Sequence, residues 1–146
     1  MMTTDALQTG LRVLLAEDDR DDQMLLAEGF EGAGLSVDWH ITEDGEAALD
    51  LLASHVTRQS SIDMLVLDLN MPRMDGLQVL ESLRDSGSWR ALPVIVLSTS
   101  TRREDADRAM ALGALAVLAK PASTKEYRDL ALRICELYQS ATEAAP

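Results

Sequence analysis

Four apolar runs in this sequence end on a polar residue that an ordinary core would not ask for: RVLLA meets Glu17-Asp18, IDMLVL meets Asp68, VIVL meets Ser98 and LAVLA meets Lys120. Carboxylates gathered from such ends are expensive neighbours. Two of them about 4 Å apart repel by roughly 4 kcal/mol at an effective dielectric of about 20. Three would raise one another's pKa or require cations. A hard divalent ion answers that need, and Mg²⁺ (or Mn²⁺) takes a few carboxylates together with carbonyl and water oxygens. Lys120 offers a second cation and Ser98 a hydroxyl donor. A metal, an ammonium and a hydroxyl around one carboxylate form a site for a phosphoryl group, each able to neutralise or bond one equatorial oxygen. Asp68 would then act as the nucleophile and become an aspartyl phosphate.

Taken singly, each of these residues is ordinary, since an acid after a strand is usually a helix cap or a loop residue. Asp19, Asp21 and Asp22 are read in that way, as capping and solvated charge. The joint pattern carries the chemistry, because acids, Asp, Ser and Lys-Pro each stand at the same edge of separate units.

Those units are legible in the apolar spacing. Short apolar runs alternate with longer helical patterns, the signature of βα units around a parallel sheet. The first strand, 12–16, precedes a helix that Asp21 and Asp22 can cap and that stops near Gly32–Gly34. A half-exposed strand over 35–41 alternates apolar and polar residues. A helix over 44–55 follows, then a polar loop over 56–61. The run 62–67 is nearly continuous, as a central strand covered on both faces requires. Pro72 keeps the NMPRMDG segment from being helical, and a helix begins at Gly76 with Leu77, Leu80 and Leu83 inward. Pro93 opens the fourth strand, a helix carrying Met110 and Leu112 stops at Gly113, and 115–119 is the fifth strand. Ser123-Thr124-Lys125-Glu126 reads as a capping box. It starts a last helix whose apolar face is Tyr127, Leu130, Ala131, Ile134, Leu137 and Tyr138.

Five strands and five helices in strict alternation predict an α/β fold: a flavodoxin-like (βα)5 three-layer sandwich with a five-stranded parallel sheet in the order 2-1-3-4-5. Ligands of such sheets bind at the C-terminal strand edge, where strands one and three are neighbours. That order brings Glu17, Asp18 and Asp68 into one pocket. The expected organisation is a tail over 1–10, one domain over 11–139 and a tail over 140–146.

Composition narrows the classes. The chain has 146 residues with 47% apolar and 26% charged side chains, as in a globular domain with a core large enough to fold unaided. A formal charge of −12 repels phosphate backbones, so nucleic acid is not an expected partner. A lone cysteine, Cys135, excludes an intramolecular disulfide and sits on an apolar helical stripe as a small hydrophobe. No run approaches the ~18 apolar residues of a membrane span. The start, MMTTDALQTG, lacks the basic and apolar regions of a signal peptide. A cytoplasmic protein is expected.

From Leu11 to Tyr138 the sequence resembles the receiver domain of two-component response regulators, through VLLAEDD, DGEAALDLL, LVLDLNMPRMDG, LPVIVLSTS and GALAVLAKP. The resemblance implies that Glu17 and Asp18 are the acidic pair, Asp68 the phosphoacceptor, Ser98 the switch hydroxyl and Lys120 the lysine that pairs with the phosphoryl. It implies that Asp18, Asp68 and the main-chain carbonyl of Asn70 ligate Mg²⁺ directly, with Glu17 acting partly through water, and that Lys120-Pro121 is a cis peptide. Asn70 and Ser100 match positions that tune aspartyl-phosphate lifetime. The partner implied is a sensor histidine kinase. The LSTS segment, the NMPRMDG loop and the long last helix resemble the subgroup that serves bacterial phytochrome-type kinases, whose members dimerise through the face of helix four, strand five and helix five. Val117, Leu115 and the stripe near Leu137 and Tyr138 would supply that face, with an intrachain core as the competing role of the stripe. The chain ends soon after the fifth helix, which resembles stand-alone receivers without an output domain and without a dedicated enzymatic activity.

One departure is Val117, which stands where many receivers carry an aromatic residue coupled to the Ser/Thr. Without it, the signal is expected to travel by loop and helix-four movement or by altered dimerisation. Trp89 is read as a clamp on the preceding helix. A phosphatase of the haloacid-dehalogenase type also uses a strand-end Asp, but it places a second Asp two residues on, where this chain has Asn70. A receiver acting only as a binding module would be expected to lack part of the acid, Asp and Lys set, which is complete here.

Overall fold

A computed structural model describes residues 10–56, 62–87, 91–99 and 102–143. In chain order the elements are β1 Leu11–Ala16, α1 Arg20–Gly32, β2 Val37–Thr42, α2 Gly45–Val56, β3 Met64–Asp68, α3 Gly76–Ser86, β4 Val94–Ser98, α4 Arg103–Ala111, β5 Ala116–Ala119 and α5 Glu126–Glu143. The strands form one parallel sheet in the order β2-β1-β3-β4-β5, as the alternation of patterns predicts. Of the loop expected over 56–61, Val56 instead ends α2 and residues 57–61 lie outside the described residues, as do Trp89 and Ser100.

Because side chains alternate across a strand, each central strand feeds two cores. Leu14, Ala16, Leu65, Leu67, Val94 and Val96 pack with α2, α3 and α4 on one face. Val13, Leu15, Met64, Val66, Ile95 and Leu97 pack with α1 and α5 on the other. Every residue of β3 and β4 is buried, whereas the edge strands β2 and β5 are only partly so. On the α1/α5 side Phe30 and Trp39 meet edge to face with ring centroids 5.2 Å apart, a favoured aromatic geometry. The α1/α5 contact is close: a Cβ on Gly29 would fall 2.4 Å from the Tyr127 carbonyl oxygen. No helix among the described residues is long and apolar enough to cross a membrane.

Several local expectations are corrected. The N-cap of α1 is Asp19, whose carboxylate accepts from the Asp21 and Asp22 amides. A cap needs an extended residue just outside the helix, and Asp21 and Asp22 already lie in its first turn. The reciprocal capping box belongs to α3, between Asp75 and Gln78. At α5 the Ser123 hydroxyl instead donates to the Glu126 carboxylate at 3.3 Å, the helix beginning only at Glu126. That helix continues to Glu143, past 139. No cis peptide is present among the described residues, so Lys120-Pro121 is trans, the lower-energy isomer of an X–Pro bond by about 0.5–1 kcal/mol. Leu137 and Tyr138 pack against the α1/α5 core, which gives that stripe its intrachain role. In α4 it is Ala109 that is buried, while Met110, one position further round the helix, is 48% exposed.

Candidate functional site

Parallel register sets the strand ends level. Ala16 pairs with Leu67, Asp68 with Leu97 and Ser98 with Ala119. Glu17 and Lys120 follow immediately, and the Lys120 amide donates to the Ser98 carbonyl at 3.0 Å. The four strand-end residues therefore stand along one edge, as the sequence predicts. Glu17, Asp68 and Ser98 are buried there, which is unusual for acids unless they are paired.

Lys120 supplies the pairing. Its Nζ lies 2.6 Å from Glu17 Oε1, 2.9 Å from Asp22 Oδ2 and 3.4 Å from Asp68 Oδ2. Two backbone amides and one side-chain amide hold the acids in place. The Asp19 amide reaches the second oxygen of Glu17 at 3.2 Å, the Asn70 amide reaches Asp68 Oδ1 at 3.2 Å, and the Gln23 side chain donates to the Glu17 carbonyl at 2.7 Å. On the α3 side the chain passes so close that a Cβ on Gly76 would sit 2.6 Å from the Asp68 carbonyl oxygen. Only glycine allows that approach.

Burial pushes the Glu17 carboxyl up to about 8, with the charge of Asp68 acting in the same direction and the Lys120 bond opposing it. Burial alone would lower the Lys120 pKa. Bonds to Glu17 and Asp22 and the charges of Asp68 and Glu17 outweigh it, so the ammonium is held above the ordinary lysine range. Glu17, Asp18 and Asp68 each place an oxygen within 4.8 Å of the others, with Asp18 exposed and the other two buried. Three hard oxygen donors, two of them desolvated, fit a hard divalent cation better than they fit one another.

Sequence reasoning missed Asp22. The acidic run reads as capping and solvated charge, yet the Asp22 carboxylate accepts from Lys120 at the first turn of α1. The available signal was its place one turn after the Glu17-Asp18 pair, which aims a carboxylate back towards the strand edge. Val117 is partly buried against the α2/α3/α4 core.

Residues 13–131 match the family model described as the response regulator receiver domain. Among curated relatives, the chain is 36% identical over 129 residues to a probable methanogenesis regulatory protein, FilR2, of Methanothrix harundinacea, covering 86% of this chain and 82% of the relative. It is 37% identical over 115 residues to the transcriptional regulatory protein CpxR of Escherichia coli, covering 79% of this chain but only 45% of CpxR. Among solved structures, the phosphorylated cyanobacterial phytochrome response regulator RcpA superposes with a TM-score of 0.80 at 26% identity, covering 90% and 95% of the two chains. RPA3017, a response regulator in red light signalling of R. palustris, gives 0.79 at 33% identity, with 89% and 94% covered. The Mn²⁺-bound response regulator Rcp1 gives 0.75 at 27% identity, with 84% and 90% covered.

Proposed function

This chain belongs to the family of response regulator receiver domains, and we propose that it is a phosphorylation switch whose acceptor is Asp68. The observation that supports this most is the convergence of Glu17, Asp68 and Lys120 at one sheet edge, with the Lys120 ammonium within 3.4 Å of the Asp68 carboxylate. An oxygen of Asp68 would form a bond to phosphorus as the bond to the donor's leaving group breaks. Lys120 and the Ser98 hydroxyl would each take a phosphoryl oxygen, and the Asn70 amide, already bonded to Asp68 Oδ1, would hold the carboxylate in orientation.

Glu17, Asp18, Asp68 and the main-chain carbonyl of Asn70 are the proposed ligands for Mg²⁺, and the Mn²⁺-bound neighbour supports a divalent ion. When bound, the ion would neutralise charge on the acceptor and on the incoming phosphoryl. The proposed donor is a sensor histidine kinase, with phytochrome-type kinases favoured by the phytochrome and red-light response regulators among the neighbours. The readout would be a change in protein–protein contacts. A homodimer through α4, β5 and α5 is the proposed form, supported by the open edge of β5 and by Leu132, which is 41% exposed on α5. The receiver unit is taken to run from 11 to the end of α5 at Glu143, in a cytoplasmic protein without nucleic-acid affinity, the last point supported by the charge of −12. Asn70, in place of a second acid, disfavours a self-contained phosphatase.

Incubation with acetyl phosphate and Mg²⁺ tests the reading by intact mass. Wild type should gain one phosphoryl group and Asp68→Asn none, and equal uptake by the variant would remove Asp68 as acceptor.

A further inference from the structure

Asp22 has no place in the proposed phosphoryl chemistry, yet it holds the lysine that does. An ammonium has three N–H donors. The Lys120 contacts to Glu17 (2.6 Å) and Asp22 (2.9 Å) commit two of them, while the 3.4 Å contact to Asp68 is longer than an ordinary N–H···O bond. Lys120 is thus drawn towards α1 and away from the acceptor. The two holding acids differ in kind. Glu17 belongs to the carboxylate group that fits a cation, whereas Asp22 stands outside it. The Asp22 contact to the ammonium therefore uses no carboxylate of that group. The contact joins a partly exposed Asp22 side chain (26%) to a nearly buried Lys120 side chain (8%).

We infer that Asp22 is a positioning residue that holds Lys120 back from Asp68 and thereby limits how strongly the acceptor site takes up a phosphoryl group. The inference rests on the phosphoryl-acceptor reading of the site. To close on an oxygen of a phosphoryl on Asp68, Lys120 has only its third N–H donor and must move against the pull of its charge-assisted bond to Asp22. The negative charge of Asp22 also opposes an incoming anion. Both effects have the same sign, so removing the Asp22 charge strengthens the site. Partial exposure screens the pair and keeps the gain moderate.

The test uses the full chain at saturating Mg²⁺, with beryllofluoride binding measured by calorimetry and initial phosphorylation rates measured with acetyl phosphate. Asp22→Asn, which keeps the side-chain size, should bind beryllofluoride about three- to tenfold more tightly and react faster by a similar factor. Asp22→Ser should do the same, and Asp22→Glu should return towards wild type. A merely structural role for Asp22 would lower both quantities on substitution, so a gain separates the two roles. Unchanged or weaker binding by both charge-removing variants, with wild type binding normally, overturns the inference and leaves the acceptor reading intact. A wild type that binds no beryllofluoride overturns both.

Discussion

The first residue of α3, Gly76, lies against the main chain of Asp68: a Cβ there would be 2.6 Å from the Asp68 carbonyl oxygen and 2.9 Å from the Leu69 Cα. Both are backbone atoms, so neither can rotate away. Gly76→Ala should therefore displace the end of β3, costing about 1–3 kcal/mol as overpacking does. Urea denaturation checks the cost, and wild-type stability in the variant would contradict the contact.

The place of Glu17, Asp68, Ser98 and Lys120 along one sheet edge is legible because an apolar run marks where a parallel strand ends. The strand order then decides which ends are neighbours. Asp22 and Lys120, 98 positions apart, were not legible. Their contact depends on the rotation of α1, which Asp19 fixes by capping at a position the acidic run EDDRDD leaves ambiguous. The α3 capping box is not read from the sequence because Asp75 falls in the NMPRMDG segment, taken only as the loop before the helix at Gly76. The trans Lys120-Pro121 bond is a property of local backbone context that no residue type in the segment specifies.

Asp18→Ala should weaken Mg²⁺ binding by about tenfold or more, since loss of even a ligand's supporting partner costs that much in metal sites. Calorimetric titration with Mg²⁺ checks it. Affinity equal to wild type would remove Asp18 from the metal group.

Phe30→Ala should cost about 3–5 kcal/mol, the usual range for deleting a buried aromatic side chain, because Phe30 is 1% exposed between α1 and the sheet. The 5.2 Å edge-to-face contact with Trp39 disappears with it. Thermal denaturation should show the loss, accompanied by a changed tryptophan emission. A variant as stable as wild type would place the ring outside the core.

Burial pushes the Cys135 thiol up to about 11, so the native state disfavours the thiolate. A group whose native pKa is raised binds its proton more tightly when folded, and ionisation therefore favours unfolding. The contribution of Cys135 to stability should be intact at neutral pH and decline as pH rises above its ordinary value of 9.0 towards 11. Cys135→Ala should flatten that decline. At pH 8 a disulfide reagent should react slowly with native protein and rapidly in denaturant, and equal rates would contradict the burial.

The central claim, that Asp68 carries the phosphoryl group, is tested most directly by locating the modification. Protein treated with acetyl phosphate and Mg²⁺ is reduced with borohydride, which converts an aspartyl phosphate to homoserine, and its peptides are sequenced by mass spectrometry. Homoserine at position 68 is the predicted result; homoserine at another aspartate, with position 68 unchanged, would contradict it.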